Sequence, residues 1–142
     1  MKYLELKKDL FTVEGTYCLA HCISSDCKMG AGIAVEFQKR FKVKEILLKI
    51  PEEKRKHPTC IKTGRVFNLI TKEKYWGKPT YETMRAALLV MKETALNGNV
   101  KKIAMPIIGS DLDKLEWDKV MGIIMDVFYE TEIEILVCKI KK

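Results

Sequence analysis

Two side chains that could act together in catalysis stand after apolar runs of the sequence. Lys72 closes the run 69–71, and Asp113 lies in the short loop that follows the apolar segment 102–108. A lysine can act as a nucleophile, and a nearby carboxylate can serve as a general acid and base. Because α/β proteins bind ligands beyond the carboxyl ends of their strands, the two side chains are candidates for one pocket. Taken alone, Lys72 would be an ordinary solvated charge.

Two glycine-containing loops add the features of an anion site. The loops 21–32 and 109–114 each follow an apolar, strand-like segment and lead into a helical pattern. Free backbone N–H groups at such positions can bind phosphate, and glycine lets a ligand approach the backbone closely. The two loops could therefore hold a pyrophosphate, with Lys72 and Asp113 facing an adjoining sugar. A second acid, Asp111, is an unexpected neighbour for a phosphate.

The elements that position these loops alternate between strands and helices. Strands are predicted at 1–6, 17–23, 60–62, 65–71, 102–108 and 133–140, and helices from Gly32, at 44–49, from Thr80 to Asn97, and at 116–129. This alternation favours an α/β fold with a largely parallel sheet and helices on both faces. The hairpin 60–71 makes the sheet mixed.

The composition is that of one folded domain spanning residues 1–142. With 142 residues, 47% of them hydrophobic, the chain can bury roughly two-thirds of the surface that it exposes when unfolded. The sequence contains no apolar run of membrane-span length and does not begin with a signal-peptide pattern. We therefore expect a cytoplasmic protein, or a nuclear one if the source is eukaryotic or viral, with no membrane partner.

The cysteine pattern and the net charge limit the kinds of binding site and partner that the protein could have. The five cysteines are odd in number, and no second cluster completes the spacing of Cys18, Cys22 and Cys27, so we expect reduced thiols, no metal and no cofactor. The net charge of +7 indicates an anionic partner. Because an arginine-rich helix and an interleaved aromatic platform are both missing from the sequence, nucleic acid is not expected as the primary partner. Basic runs such as 54–56 are interpreted as solvated surface.

Five segments together resemble a macrodomain, and more narrowly the terminal ADP-ribose protein glycohydrolase branch of that family. They occur in the family's order along nearly the whole chain, at 19–24 (LAHCIS), 29–34 (MGAGIA), 69–72 (LITK), 78–82 (KPTYE) and 105–113 (MPIIGSDLD). The resemblance implies a three-layer α/β/α macrodomain with a mixed, largely parallel central sheet. It also implies an ADP-ribose pocket.

The resemblance further implies roles for individual residues. Asp9 matches the acid that receives the adenine amino group, Lys72 the nucleophile that attacks the anomeric carbon of the distal ribose, and Asp113 the acid that assists cleavage and then resolves the lysyl adduct. The residues implied to contact the ligand are Asp9, Leu10, His21, Ser24, Met29, Gly30, Ala31, Gly32, Ile33, Ala34, Thr71, Ile108, Gly109, Ser110, Asp111 and Leu112.

The chain departs from the family's pattern in the second phosphate loop. Asp111 stands where glycine is usual, and Ser110 where a small residue or cysteine is usual. A carboxylate about 4 Å from a diphosphate costs on the order of 1 kcal/mol when well solvated, and several times more when it is not. Asp111 therefore either points to solvent or weakens binding.

Three functions remain open from the sequence. The first is a hydrolase that removes mono-ADP-ribose ester-linked to glutamate or aspartate and deacylates O-acyl-ADP-ribose, with ADP-ribose and ADP-ribosylated proteins as partners of a monomeric protein. The second is a catalytically weak or inactive ADP-ribose reader, and the third is a nucleic-acid binder. Three aromatic residues could either stack on a ligand or pack in the protein: Tyr75, Trp76 and Tyr81.

Overall fold

The computed structural model describes residues 1–110 and 113–139. Its strands are β1 (Lys2–Leu6), β2 (Cys18–Ser24), β3 (Thr59–Thr63), β4 (Val66–Lys72), β5 (Lys102–Met105) and β6 (Glu134–Cys138). Its α-helices are α1 (Ile33–Phe41), α2 (Val43–Leu47), α3 (Tyr81–Asn97) and α4 (Trp117–Phe128), and two short 3₁₀ helices cover Leu10–Thr12 and Glu52–Lys54. None of the helices in these two ranges is both long and apolar enough to cross a membrane.

The strands form one six-stranded sheet in the order β1-β6-β5-β2-β4-β3. All neighbouring pairs are parallel except β3 and β4, which form an antiparallel hairpin. The predicted mixed, largely parallel sheet is therefore confirmed. Because β1, β5, β2 and β4 point the same way, the segments that follow them emerge at one edge of the sheet, which we call the carboxyl edge.

Helices cover both faces of this sheet, as the three-layer prediction requires. On one face, α3 and α4 bury an apolar stripe that includes the fully buried Met84, Leu88, Met91 and Ala95. On the other face, α1 and α2 contribute Phe37, Val43 and Leu47 to a second core.

Helix boundaries follow the predicted signals closely. The Thr80 side chain accepts a hydrogen bond from the Thr83 backbone N–H at 3.0 Å, and the Thr83 hydroxyl accepts one from the Thr80 N–H. This reciprocal cap starts α3, which ends before Gly98. The helix predicted at 44–49 is the shorter α2.

Strand β5 is shorter than predicted and ends at Met105. The prediction of a strand through Ile108 was wrong because Pro106 has no N–H to donate to a ladder and the chain then turns. Ile108 N donates to the Pro106 carbonyl at 2.8 Å, and Ser110 N donates to the Ile107 carbonyl at 3.2 Å. The predicted last strand is observed from Glu134 to Cys138, and its proposed end at Ile140 lies outside the described residues.

Candidate functional site

The structure brings Lys72 and Asp113 together at the carboxyl edge. Lys72 is the last residue of β4, and Asp113 lies in the connection between β5 and α4. The distance from Lys72 Nζ to Asp113 Oδ1 is 2.7 Å, and each side chain is 14% exposed. A charge-assisted hydrogen bond with this little solvent contact fixes both groups relative to each other. The residues predicted to be the nucleophile and the acid/base are thus in contact.

The loop after β2 is joined to the end of β4 by backbone hydrogen bonds. The register between the strands shifts at Ile23 and Ser24, so that Ser24 lies opposite Lys72. Ser25 N donates to the Lys72 carbonyl at 2.9 Å, and Asp26 N donates to the Glu73 carbonyl at 3.2 Å. The predicted pocket residue Ser24 is therefore positioned by the same strand end that carries the lysine.

Asp26, which sequence reasoning did not single out, holds this loop together. Its carboxylate accepts hydrogen bonds from the Ser24 hydroxyl, from Lys28 N at 3.3 Å and from Tyr75 N at 3.0 Å. Burial acts to raise the pKa of Asp26, but these hydrogen bonds outweigh it and hold the pKa below its usual value. A charged Asp26 thus ties the loop after β2 to the loop after β4.

Arg55 supports the same loop from inside. Its Nη1 donates to the Ser25 carbonyl at 2.6 Å and contacts Cys27 Sγ at 3.5 Å, while Nε donates to the Ile50 carbonyl at 3.0 Å. The side chain is buried, so the interpretation of the basic runs as solvated surface holds for the exposed Lys54 and Lys56 but does not extend to Arg55. The pattern of residues around Arg55 does not indicate its burial, because both of its neighbours are exposed lysines.

His21 lies in the core rather than on an open surface. Its ring is fully buried, stacks on Phe37 with centroids 3.8 Å apart, and places Nε2 2.7 Å from Asn68 Oδ1. Burial lowers the pKa of His21 to about 4, so the ring is neutral at physiological pH. Thr71 is likewise fully buried. As the structure stands, neither side chain is accessible to a ligand, so direct contact by these two predicted pocket residues would require movement.

The predicted loop around 29–34 presents backbone to solvent. Gly30, Ala31 and Gly32 are exposed, and Met29 packs into the core beside the half-buried Ile33 and Ala34. Gly32 caps α1 with φ +64° and ψ −154°, a conformation that strongly favours glycine. The loop thus delivers an exposed backbone to the start of α1, as an anion-binding loop must.

The loop predicted to be the second phosphate loop, at 109–114, contains a glycine that the fold requires. Gly109 has φ +73°, and a Cβ atom there would lie 2.7 Å from Met84 Cε and 3.1 Å from Leu115 Cδ1. Its carbonyl accepts a hydrogen bond from Leu115 N at 2.6 Å, which closes the loop. Ile108 is buried, and the Ser110 Oγ is buried without a hydrogen-bond partner among the described residues. The predicted ligand residues Asp111 and Leu112 lie outside the described residues.

Asp9 lies beyond the end of β1, at the carboxyl edge. Its Oδ1 accepts a hydrogen bond from Phe11 N at 3.0 Å and so caps the 3₁₀ helix that begins with the buried Leu10. This is the turn-capping role that an aspartate commonly plays. Adenine binding by Asp9 remains a prediction.

The cysteines of the chain are all free thiols. Cys22 lies close to the reactive pair: burial raises the pKa of its thiol, and the nearby Asp113 carboxylate raises it further. The thiol therefore stays protonated and is a poor nucleophile beside Lys72. Among the described residues, no three His, Cys, Asp or Glu side chains are grouped to hold a metal ion.

Sequence comparison relates the chain to known proteins. No family profile matches the chain. The chain is 44% identical over 133 residues to the ADP-ribose glycohydrolase OARD1 of Bos taurus, covering 93% of this chain and 88% of that protein. At this identity and coverage, the similarity establishes family membership.

Solved structures show the same fold at low sequence identity. The macrodomain of Thermus aquaticus DarG superposes with a TM-score of 0.85 at 20% identity, covering 96% of this chain and 97% of that one. Thermosipho africanus DarTG in complex with ADP-ribose gives a TM-score of 0.81 at 16% identity, covering 99% of this chain and 42% of that one. The predicted macrodomain fold is thereby confirmed.

Proposed function

Since the chain belongs to the family of ADP-ribose glycohydrolase OARD1, we propose that it is a hydrolase that removes mono-ADP-ribose from ester linkages on protein glutamate or aspartate. The same chemistry deacylates O-acyl-ADP-ribose. The observation that carries the proposal is the 2.7 Å contact between Lys72 Nζ and Asp113 Oδ1 at the carboxyl edge of the sheet. The 44% identity with the bovine relative, over an aligned 93% of the chain, supports it.

The pair supplies both halves of a two-step hydrolysis. Lys72 passes a proton to Asp113 along their hydrogen bond, and the neutral amine attacks the anomeric carbon of the distal ribose. The bond between that carbon and the acyl oxygen breaks, and Asp113 returns the proton to the departing carboxylate. Water then attacks the anomeric carbon of the lysyl adduct as Asp113 takes a proton from it, and the bond between that carbon and Lys72 Nζ breaks. This step frees ADP-ribose and restores the Lys72 amine.

The loops that frame the pair suit the rest of an ADP-ribose molecule. The exposed backbone at 30–32 follows β2 and the loop that begins at Gly109 follows β5, and we assign both to the diphosphate. Asp9, which follows β1, is assigned to the adenine amino group, because its carboxylate can accept a hydrogen bond from that group. The solved DarTG structure with ADP-ribose, on the same fold, supports ADP-ribose as the ligand class.

The test is release of free ADP-ribose from a protein that carries ADP-ribose on glutamate through an ester. We expect turnover by the wild type and a loss of at least about 10²-fold in kcat for Lys72→Ala, because that variant lacks the nucleophile. Lys101→Ala, an exposed lysine immediately before β5 at the opposite edge of the sheet, is the matched control and should retain full activity. Full activity in Lys72→Ala would contradict the assignment.

The alternative is an ADP-ribose reader, which the acidic Asp111 in the second phosphate loop favours. Tight ADP-ribose binding by calorimetry, with no release from either an ester-linked protein or O-acetyl-ADP-ribose, would establish that alternative. An Asp111→Gly variant that gains both affinity and turnover would identify Asp111 as the cause.

A further inference from the structure

Two adjacent aromatic rings stand exposed on the turn that follows the catalytic lysine. This segment, residues 73–78, is called the aromatic turn. Tyr75 is 54% exposed and Trp76 is 72% exposed, so neither ring packs in the core. Tyr81, by contrast, is half-buried and its hydroxyl accepts a hydrogen bond from Glu116 N at 3.0 Å. Of the three aromatic residues noted in the sequence, Tyr75 and Trp76 are therefore the ones available to a partner.

The aromatic turn is fixed beside the reactive pair. Gly77 N donates to the Lys74 carbonyl at 2.9 Å and closes the turn. Tyr75 N donates to Asp26 Oδ2 at 3.0 Å, which anchors the turn to the loop after β2. Trp76 follows Lys72 by only four residues, so their Cα atoms lie within roughly 14 Å of each other. A polypeptide joined to the distal ribose at Lys72 is therefore within reach of this surface.

The charges around the two rings are mainly positive. Lys74 and Lys78 within the turn are exposed, and Lys28 places its Nζ 5.2 Å from the centre of the Tyr75 ring. Glu73 is the single acid within the turn. Rigid aromatic rings flanked by cations are typical of contact surfaces, because the rings supply area at little entropic cost and the cations select acidic partners.

We propose that the aromatic turn, together with Lys28, binds the acceptor polypeptide, specifically an acidic segment around the ADP-ribosylated glutamate. The inference rests on the proposed hydrolase function and names the part of the substrate that lies outside ADP-ribose. The rings cover the acceptor backbone, and the lysines pair with its neighbouring carboxylates. A nucleic-acid strand, which carries a phosphate at every nucleotide, is the competing anionic partner, and the test includes it as an outcome.

The test compares two substrates that share the ester but differ in the acceptor. One is a peptide that carries ADP-ribose on a glutamate flanked by acidic residues, and the other is O-acetyl-ADP-ribose, which has no polypeptide. We expect Trp76→Ala to lower kcat/KM for the peptide about tenfold, mainly through KM, and to leave O-acetyl-ADP-ribose turnover within about twofold. A Lys74→Glu/Lys78→Glu variant should show the same selective loss, and added salt should raise KM for the peptide in the wild type.

The matched control is Tyr129→Ala. Tyr129 is 74% exposed but follows α4 at the opposite edge of the sheet, so its removal should change neither substrate. Equal losses on both substrates, or no loss on either, would overturn the inference while leaving the hydrolase proposal intact. A selective loss on an ADP-ribosylated oligonucleotide instead of the peptide would also overturn it. A wild type that hydrolyses neither ester would contradict the proposed function, and this inference with it.

Discussion

Arg55 Nη1 donates a hydrogen bond to the backbone carbonyl of Ser25 at 2.6 Å, from a side chain that is only 8% exposed. The contact joins the polar segment before β3 to the loop after β2, which is hydrogen-bonded to the end of β4 at Lys72. Near it, His57 N donates to the Ser25 hydroxyl at 3.1 Å, so both the main chain and the side chain of Ser25 are held. The loop after β2 therefore depends on a residue far from it in sequence.

Replacing Arg55 should both destabilise the fold and loosen this loop. We expect Arg55→Ala to lower the free energy of unfolding by about 2–4 kcal/mol, because the Ser25 and Ile50 carbonyls lose a charged donor. Arg55→Lys should recover part of it, since lysine keeps the charge but not the planar fork. Urea unfolding followed by far-UV circular dichroism measures the change.

The comparison for that experiment is Arg85→Ala. Arg85 pairs with Asp126 at 2.5 Å on the surface, where both side chains are largely exposed, so its loss should cost less than about 1 kcal/mol. Equal costs for the two arginines would show that the buried position of Arg55 contributes nothing special.

Gly109→Ala should be among the most damaging small substitutions. The added Cβ would meet Met84 Cε at 2.7 Å, and a backbone with φ +73° is strained for alanine. We expect a loss of about 1–4 kcal/mol in unfolding free energy, and reduced turnover because the second phosphate loop must shift. Gly122→Ala is the control, since a Cβ there meets no atom within 4 Å and Gly122 lies inside α4. That substitution should stabilise the protein by about 0.5–1 kcal/mol. A neutral Gly109→Ala would contradict the close packing.

His21 should make stability depend on pH. Burial lowers its folded-state pKa to about 4, whereas an unfolded histidine has a pKa near 6.5, so the unfolded chain binds the extra proton between these values. The contribution of the neutral His21 ring to the free energy of unfolding is thus fully present above pH 6.5 and is lost as the pH falls toward 4. It amounts to about 3 kcal/mol, and less if the ring gains solvent on protonation.

The measurement is the free energy of unfolding at several pH values from 7 to 4, in the wild type and in His21→Gln. The wild type should lose stability more steeply than the variant over this range, because only the wild type has a buried imidazole to protonate. Parallel curves for the two proteins would show that the His21 ring is not held neutral by the fold.

The proximity of Lys72 and Asp113 could be predicted from the sequence for a general reason. Parallel strands end at one edge of a sheet, so the residues that follow β4 and β5, the two strands on either side of β2, emerge at the same edge. The start of α3 at Thr80 could also be predicted, because its cap depends only on residues that are close in sequence. By contrast, Asp26 bonds to Tyr75 across two loops, and periodicity carries no information about such a contact. Arg55 was missed because a buried arginine between two exposed lysines looks like an ordinary charged run.

The end of β5 was predicted wrongly for a different reason, which lies in the apolar segment 105–108. Ile107 and Ile108 extend the hydrophobic run of the strand, yet Pro106 ends its hydrogen-bond ladder and Ile108 is buried within the turn instead. Hydrophobicity predicts which residues are buried, whereas the hydrogen-bond ladder of a strand requires backbone N–H donors. A proline can be buried but has no N–H, so an apolar run can continue past a proline where the strand ends.

In the proposed mechanism Lys72 attacks the distal ribose and Asp113 resolves the lysyl adduct. Intact and peptide mass spectrometry of Asp113→Ala, after incubation with an ester-linked ADP-ribosylated peptide, tests both roles at once. We expect an ADP-ribosyl adduct that accumulates on Lys72 in this variant and is absent from Lys72→Ala/Asp113→Ala. An adduct on another residue such as Lys74, or an Asp113→Ala variant that turns over at the wild-type rate without any adduct, would contradict it.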